Sequence, residues 1–278
     1  MASTSETQLP AATGTAGGEK KGLSTRQQEA LLPWLFIGSM IVLWQIACLA
    51  LDLPAFVLPS PVAVAESIQK WGLPILENAA YTLLATLCGF AIAVVLGGAL
   101  GVAIGSSRFI YRGMYPVLIG FNSIPKVAVV PLFVIWFGAG TVPAILTAFL
   151  VSFFPIAVNV SAGLANVEPE LLDVLRALGA SRSDILRKVG LPRTLPYFFA
   201  SLKVSVTLAF VGAIIAETVA GRNGIGYLMM AATANFDTAL VFAGLTIISL
   251  MGIMMYAIFA FIENRMTRWA QRDGGMMS

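Results

Sequence analysis

Histidine is absent from this chain, cysteine occurs twice, and charged residues make up only 11% of the sequence. Lack of histidine removes the side chain most often used to bind transition metals and to shuttle protons near neutral pH. Cys48 and Cys88 stand alone in separate apolar stretches, which suits neither a zinc site nor a disulfide framework. No G-x-x-x-x-G-K-[ST] segment occurs, so the loop that cradles a nucleotide's phosphates is missing. Asp52, Glu66, Glu77, Glu217 and Asp237 are scattered over distant segments. These absences argue against an enzyme and predict no cofactor or metal on the chain itself. A net charge of only +3 gives no reason to expect nucleic acid as a partner.

What the chain has instead is apolar surface: 58% of its residues are hydrophobic and the mean hydropathy is +0.86. Uncharged runs of 22 residues separate Glu29 from Asp52, 30 separate Glu77 from Arg108, 41 separate Lys126 from Glu168, and 25 separate Asp237 from Glu263. A helix needs about 20 apolar residues to cross a bilayer. The longest run therefore holds more than one crossing, with Gly138, Gly140 and Pro143 marking the turn inside it. The expected fold is an all-α integral membrane protein with six transmembrane helices, at about 31–51, 79–105, 114–137, 142–163, 195–219 and 238–262. Lys126 falls inside the third span; the fifth contains Lys203 and ends near Glu217.

Orientation follows from lysine and arginine alone. The segments before the first span, between spans two and three, between four and five, and after the last hold thirteen of the 17, whereas the alternate connections hold only Lys70 and Arg222. That asymmetry puts both termini and the basic connections in the cytoplasm. Residues 1–28, rich in Ala, Ser, Thr and Gly, read as a disordered tail, residues 29–270 as the membrane domain, and 271–278 as a second short tail. The run behind Lys20 and Lys21 is longer than a signal peptide's apolar region, and no small-residue cleavage site follows it. In the first external connection, Ser60 and Pro61 open a short helix at the membrane surface, anchored by Trp71.

The densest charge lies in "LGASRSDILRKVGLP", residues 178–192. Pro169 opens a helix to about Leu178, Gly179 ends it in a left-handed conformation, and Ser181 with Asp184 forms a capping box for a second helix that stops before Pro192. Leu171, Leu172, Leu175 and Leu178 give the first helix an apolar stripe; Ile185, Leu186 and Val189 give the second a face flanked by Arg182, Arg187 and Lys188. The product is a cytoplasmic helical hairpin. Its apolar face either packs on the ends of the protein's own spans or is gripped by a partner.

Asp173-Val174-Leu175, then Gly179, then Val189-Gly190-Leu191-Pro192, resembles the signature loop of ABC importer permeases, Glu-Ala-Ala, three residues, Gly, nine residues, Ile-x-Leu-Pro. The spacing is kept, and Val174 and Leu175 replace the two alanines. "LPSP" at 58–61, "NSIPKVAVVPLFVIWFG" at 122–138 and "AETVAGRNGIGYLM" at 216–229 extend the likeness to the subfamily that imports nitrate, sulfonates, taurine and related molecules.

The resemblance implies a permease subunit in a bacterial inner membrane, paired with a second copy and served by an external, periplasmic substrate-binding protein. It also implies two cytoplasmic ATPase subunits that hold the ATP and magnesium. The hairpin would be the loop docked on the ATPase, through Asp173, Arg176, Ala177, Leu178, Gly179, Ala180, Ser181, Arg182, Asp184, Leu191 and Pro192.

Candidates for the pathway are Asn122, Ser123, Lys126 and Glu217. Lys126 either snorkels to the headgroups or assists an anionic substrate; Glu217 either serves an outer gate with Arg222 or marks the end of the fifth span. An ion-coupled secondary transporter and a purely structural membrane subunit are the rival readings.

Overall fold

The computed structural model describes residues 25–267; the expected C-terminal tail and most of the N-terminal one lie outside them. The first helix, α1, spans Thr25–Ala50, so helix already begins inside the segment expected to be disordered to residue 28. The stretch Arg26–Leu32 explains this, being mostly Gln, Glu, Ala and Leu, all strong helix formers. Up to Ala47, α1 forms a unit of its own, apolar all round from Leu31.

The second unit begins at Cys48. Ser60 accepts the Ala63 amide at 3.2 Å and Pro61 occupies the first turn, opening α2 (Pro61–Lys70) as its residue types require. Then come α3 (Gly72–Gly105), α4 (Arg108–Asn122), α5 (Val130–Phe137) and α6 (Thr141–Ala165). They are followed by α7 (Pro169–Ala177), α8 (Arg182–Ile185), α9 (Leu191–Ala220), α10 (Ile225–Ala234) and α11 (Thr238–Met266).

The core is the trio α3, α6 and α9, with α6 packed against both neighbours. One face of α3 carries almost no side chain. A Cβ on Gly89, Gly97, Gly101 or Gly105 would stand 2.5–2.9 Å from a carbonyl oxygen of α6, those of Ile145, Phe153, Ala157 and Ser161 in turn. Between lipid-soluble helices the hydrophobic effect gives little drive to associate, so close backbone approach and van der Waals contact take over. Several small polar residues in this interior turn back on their own helices. Thr86 donates to the Thr82 carbonyl at 2.8 Å, Thr147 to Pro143 at 2.7 Å, Ser152 to Ala148 at 2.6 Å and Thr194 to Gly190 at 2.8 Å.

Two expectations are corrected. The single helix expected over 114–137 is two helices bent by 73°, joined through Ser123–Pro125 and a 3-10 turn at Lys126–Val129. Pro125 has no amide to offer the ladder and disfavours helical geometry at Ile124 before it. The second hairpin helix does not stop before Pro192 either. Arg182–Ile185 passes through a π turn, Leu186–Gly190, into α9, and Arg182–Ala220 is one continuous span-length element. The Leu191 amide reaches back five residues to the Leu186 carbonyl. That widening, together with a first-turn position, accommodates the proline ring.

Lys203 of α9 is not a lone cation in its span. Its ammonium pairs with the Glu263 carboxylate of α11, and the two side chains are 23% and 15% exposed.

Candidate functional site

Three groups of residues can serve transport, and they sit at different levels of the second unit. At one end is the hairpin. α7 closes with a Schellman motif: the Ala180 amide reaches the Leu175 carbonyl and the Gly179 amide the Arg176 carbonyl, each at 3.0 Å. This puts Gly179 at φ +82°. Nothing lies within 4 Å of where its Cβ would be, so the backbone angle alone demands glycine there. Ser181 then caps α8, accepting the Asp184 amide at 3.1 Å while its hydroxyl meets the Asp184 carboxylate. That hydroxyl, with Lys188 one turn on, holds Asp184 below the usual carboxylate range.

The apolar residues of the hairpin divide into two sets. Ile185 is buried, and Leu171, Leu172 and Leu175 are half-buried. Val174 and Leu178, one turn apart, remain 56% and 78% exposed. Asp173 and Arg176 pair with each other at 2.8 Å, and Ala177 and Arg182 are exposed. A cavity of about 680 Å³ lies beside the hairpin, lined by Arg108, Asp173, Arg176, Arg182 and the ends of α3 and α6. Leu191 and Pro192 belong to α9 and lie at its root.

At mid-height is the break between α4 and α5. Asn122 closes α4, and Ser123 donates to the Ile119 carbonyl at 3.0 Å. The Lys126 ammonium is held by the Asn122 carbonyl and by its amide oxygen at 2.8 Å, and stands 5.6 Å from the centre of the Phe154 ring. Phe154 lies midway along α6, about 20 Å from its start at a rise of 1.5 Å per residue. No carboxylate pairs with Lys126 among the described residues. Sequence reasoning set Asn122, Ser123 and Lys126 together, and the structure keeps them together.

At the end opposite the hairpin is Glu217, only 4% exposed. It does not meet Arg222, which is exposed. Glu217 Oε2 accepts the Thr82 hydroxyl at 2.8 Å and the Gly226 amide at 3.0 Å. The Thr82 oxygen in turn accepts the Ile225 amide at 2.9 Å, and Asn78 Oδ1 accepts the Gly224 amide at 2.8 Å. The first amides of α10 are thereby answered by side chains of α3 and α9, as a buried helix start requires. The structure does not bring Glu217 together with Asn122, Ser123 and Lys126. Sequence reasoning missed Asn78 and Thr82; a polar residue every fourth position, Asn78, Thr82, Thr86, in an apolar helix was the available signal.

Residues 93–268 match the family model described as "Binding-protein-dependent transport system inner membrane component". The chain is 35% identical over 232 residues to a riboflavin transport system permease protein of Chloroflexus aurantiacus, covering 83% of this chain and 87% of that one. It is 28% identical over 264 residues to a putative aliphatic sulfonates transport permease protein of Bacillus subtilis, covering 94% and 95%. A chain of the MetNI methionine ABC transporter shares the fold, with a TM-score of 0.64 at 19% identity over 71% of this chain and 98% of that one. Family, fold and the spacing of the hairpin agree, and they set the ion-coupled alternative aside: this chain belongs to the binding-protein-dependent transport system inner membrane components, the permease subunits of ABC importers.

Proposed function

We propose that two copies of this chain form the transmembrane pathway of an importer in a bacterial inner membrane, with both termini in the cytoplasm. Each hairpin docks on a cytoplasmic ATPase subunit that binds ATP and magnesium, and an external binding protein delivers the cargo. One observation carries the coupling role. Val174 and Leu178 are exposed on a charge-rich hairpin whose acidic and basic residues balance, and the chain's own spans do not cover them. Exposed apolar side chains rimmed by charge mark a protein contact.

The cargo we infer is a small anion, a sulfonate, taurine, nitrate or a related organic acid. The sulfonate permease relative supports this, as does a lysine held at mid-height by neutral partners. The riboflavin permease relative supports a second reading, a larger heteroaromatic solute. Calorimetry of the partner binding protein with both classes separates the two.

Coupling is tested at Gly179. Valine there must adopt a positive φ, at a cost of roughly 1–3 kcal/mol, in a hairpin that makes no other demand on the side chain. The Gly179→Val permease inserts normally but either loses the ATPase subunits on purification or keeps them without hydrolysis stimulated by loaded binding protein. Normal assembly, stimulation and uptake would withdraw the coupling role.

A further inference from the structure

Helix α6 carries four polar side chains between its ends. Thr147, Ser152 and Ser161 are buried and bonded to their own backbone, whereas Asn159 is exposed. Asn159 Nδ2 donates to the Pro155 carbonyl at 2.8 Å. A carbonyl only accepts, so the amide nitrogen faces the helix and Oδ1 faces outward. No donor among the described residues meets that oxygen.

Its position matters. Asn159 lies six residues before the end of α6, about 9 Å in from the hairpin end, at a level where a spanning helix is surrounded by hydrocarbon. An amide oxygen left unmet there costs on the order of 1–3 kcal/mol unless water or a ligand answers it. One turn nearer the hairpin, at Gly163, α9 closes on α6: a Cβ would stand 2.9 Å from Thr194 and 3.1 Å from Tyr197. About 7.5 Å farther from the hairpin along the axis is Phe154, over which Lys126 stands. Along the axis Asn159 thus lies between the level of the lysine and the seam of α6 and α9, with Phe154 about 140° round the helix from it at 3.6 residues per turn.

We propose that Asn159 lines the aqueous pathway and presents its amide oxygen as a second polar contact for the solute, on the hairpin side of Lys126. A group that answers this oxygen is a hydrogen-bond donor. The pair therefore suits a solute carrying an anionic group for Lys126 and an N–H or O–H for Asn159. The proposal rests on the reading of Lys126 as a pathway residue, and the experiment reads the two separately.

The test uses the assembled transporter with Cys48 and Cys88 replaced by alanine. Single cysteines are placed at Asn159 and, as a control, at Leu250, which is 58% exposed in the middle of the apolar helix α11. Water-soluble methanethiosulfonate reagents, one anionic and one cationic, are applied with and without nucleotide. Because only a thiolate in water reacts, Asn159→Cys is modified at least ten-fold faster than Leu250→Cys in one nucleotide state. The anionic reagent is favoured, and Lys126→Met abolishes that preference. Equal, negligible modification at both positions in every state would place Asn159 in lipid or against the second copy and overturn the proposal. Fast modification with a charge preference indifferent to Lys126→Met would support the Asn159 assignment and remove Lys126 from the pathway.

Discussion

Thr82 and Glu217, on helices distant in sequence, meet where the Thr82 hydroxyl donates to the Glu217 carboxylate across 2.8 Å, and the same Thr82 oxygen accepts the amide of Ile225. One hydroxyl thus joins α3, α9 and the start of α10. Replacing it by a methyl group of the same shape leaves a buried amide and a buried carboxylate each short of a partner. Thr82→Val lowers the thermal unfolding midpoint of the detergent-solubilised complex, by an amount equivalent to about 1–3 kcal/mol. Glu217→Gln, which keeps an acceptor oxygen, costs less than Glu217→Ala. Gly224→Ala costs most: the residue sits at φ +104°, and its new Cβ would fall 2.2–2.4 Å from the Glu217 carboxylate. A midpoint unchanged in Thr82→Val would show that the clasp contributes nothing to stability.

Glycines on α3 and α4 answer oppositely to the same kind of change. Gly101 meets Val160 and the Ala157 carbonyl so closely that even a Cβ would stand 2.7–2.8 Å away, whereas Gly113 on α4 has open space around it. Gly101→Val prevents accumulation of folded protein. Gly113→Ala leaves expression and thermal stability equal or better, since alanine improves on glycine within a helix by up to about 1 kcal/mol. Fluorescence-detected size exclusion of the two variants checks both, and a well-folded Gly101→Val protein would refute the close-contact account.

The Lys203–Glu263 pair calls for a double-mutant cycle. Lys203→Met alone strands a carboxylate that is 15% exposed, and Glu263→Gln alone strands an ammonium that is 23% exposed. Each single change destabilises the complex, by roughly 3 kcal/mol on the scale of buried ion pairs, and the pair Lys203→Met with Glu263→Leu recovers most of the loss. Additive losses would mean that the two charges do not depend on each other.

Much of the architecture was legible in the sequence because its signals were local. Pro61, Gly138, Pro169, Gly179 and Ser181 each carry a backbone preference that acts within four or five residues, and each stands in the structure where that preference puts it. Pro125 and Pro192 were harder. A proline's missing amide is local, but whether the chain breaks, as at Pro125, or widens into a π turn, as before Pro192, depends on what the flanking turns pack against. The partners of Lys203 and Glu217 were not legible at all. Glu263, Thr82 and Gly226 become their neighbours only through helix packing, and periodicity does not show which apolar helix lies beside which. The hairpin was readable in both senses, as local geometry and as a spacing shared with a family; the exposure of Val174 and Leu178 was not, because a stripe of leucines looks the same whether it faces inward or outward.

The bare face of α3 also decides where this molecule bends. Two helices whose backbones touch have no layer of side chains to rearrange, so turning one against the other would drive carbonyl oxygens into Cα atoms. The pair α3 and α6 therefore behaves as one stiff beam. The second helix of the hairpin runs into α9 without a loop, so under the proposed docking a push at the hairpin would enter the spans along α9. At Ser123–Pro125, by contrast, the hydrogen-bond ladder is already broken, so bending there would cost fewer backbone bonds than turning α3 against α6.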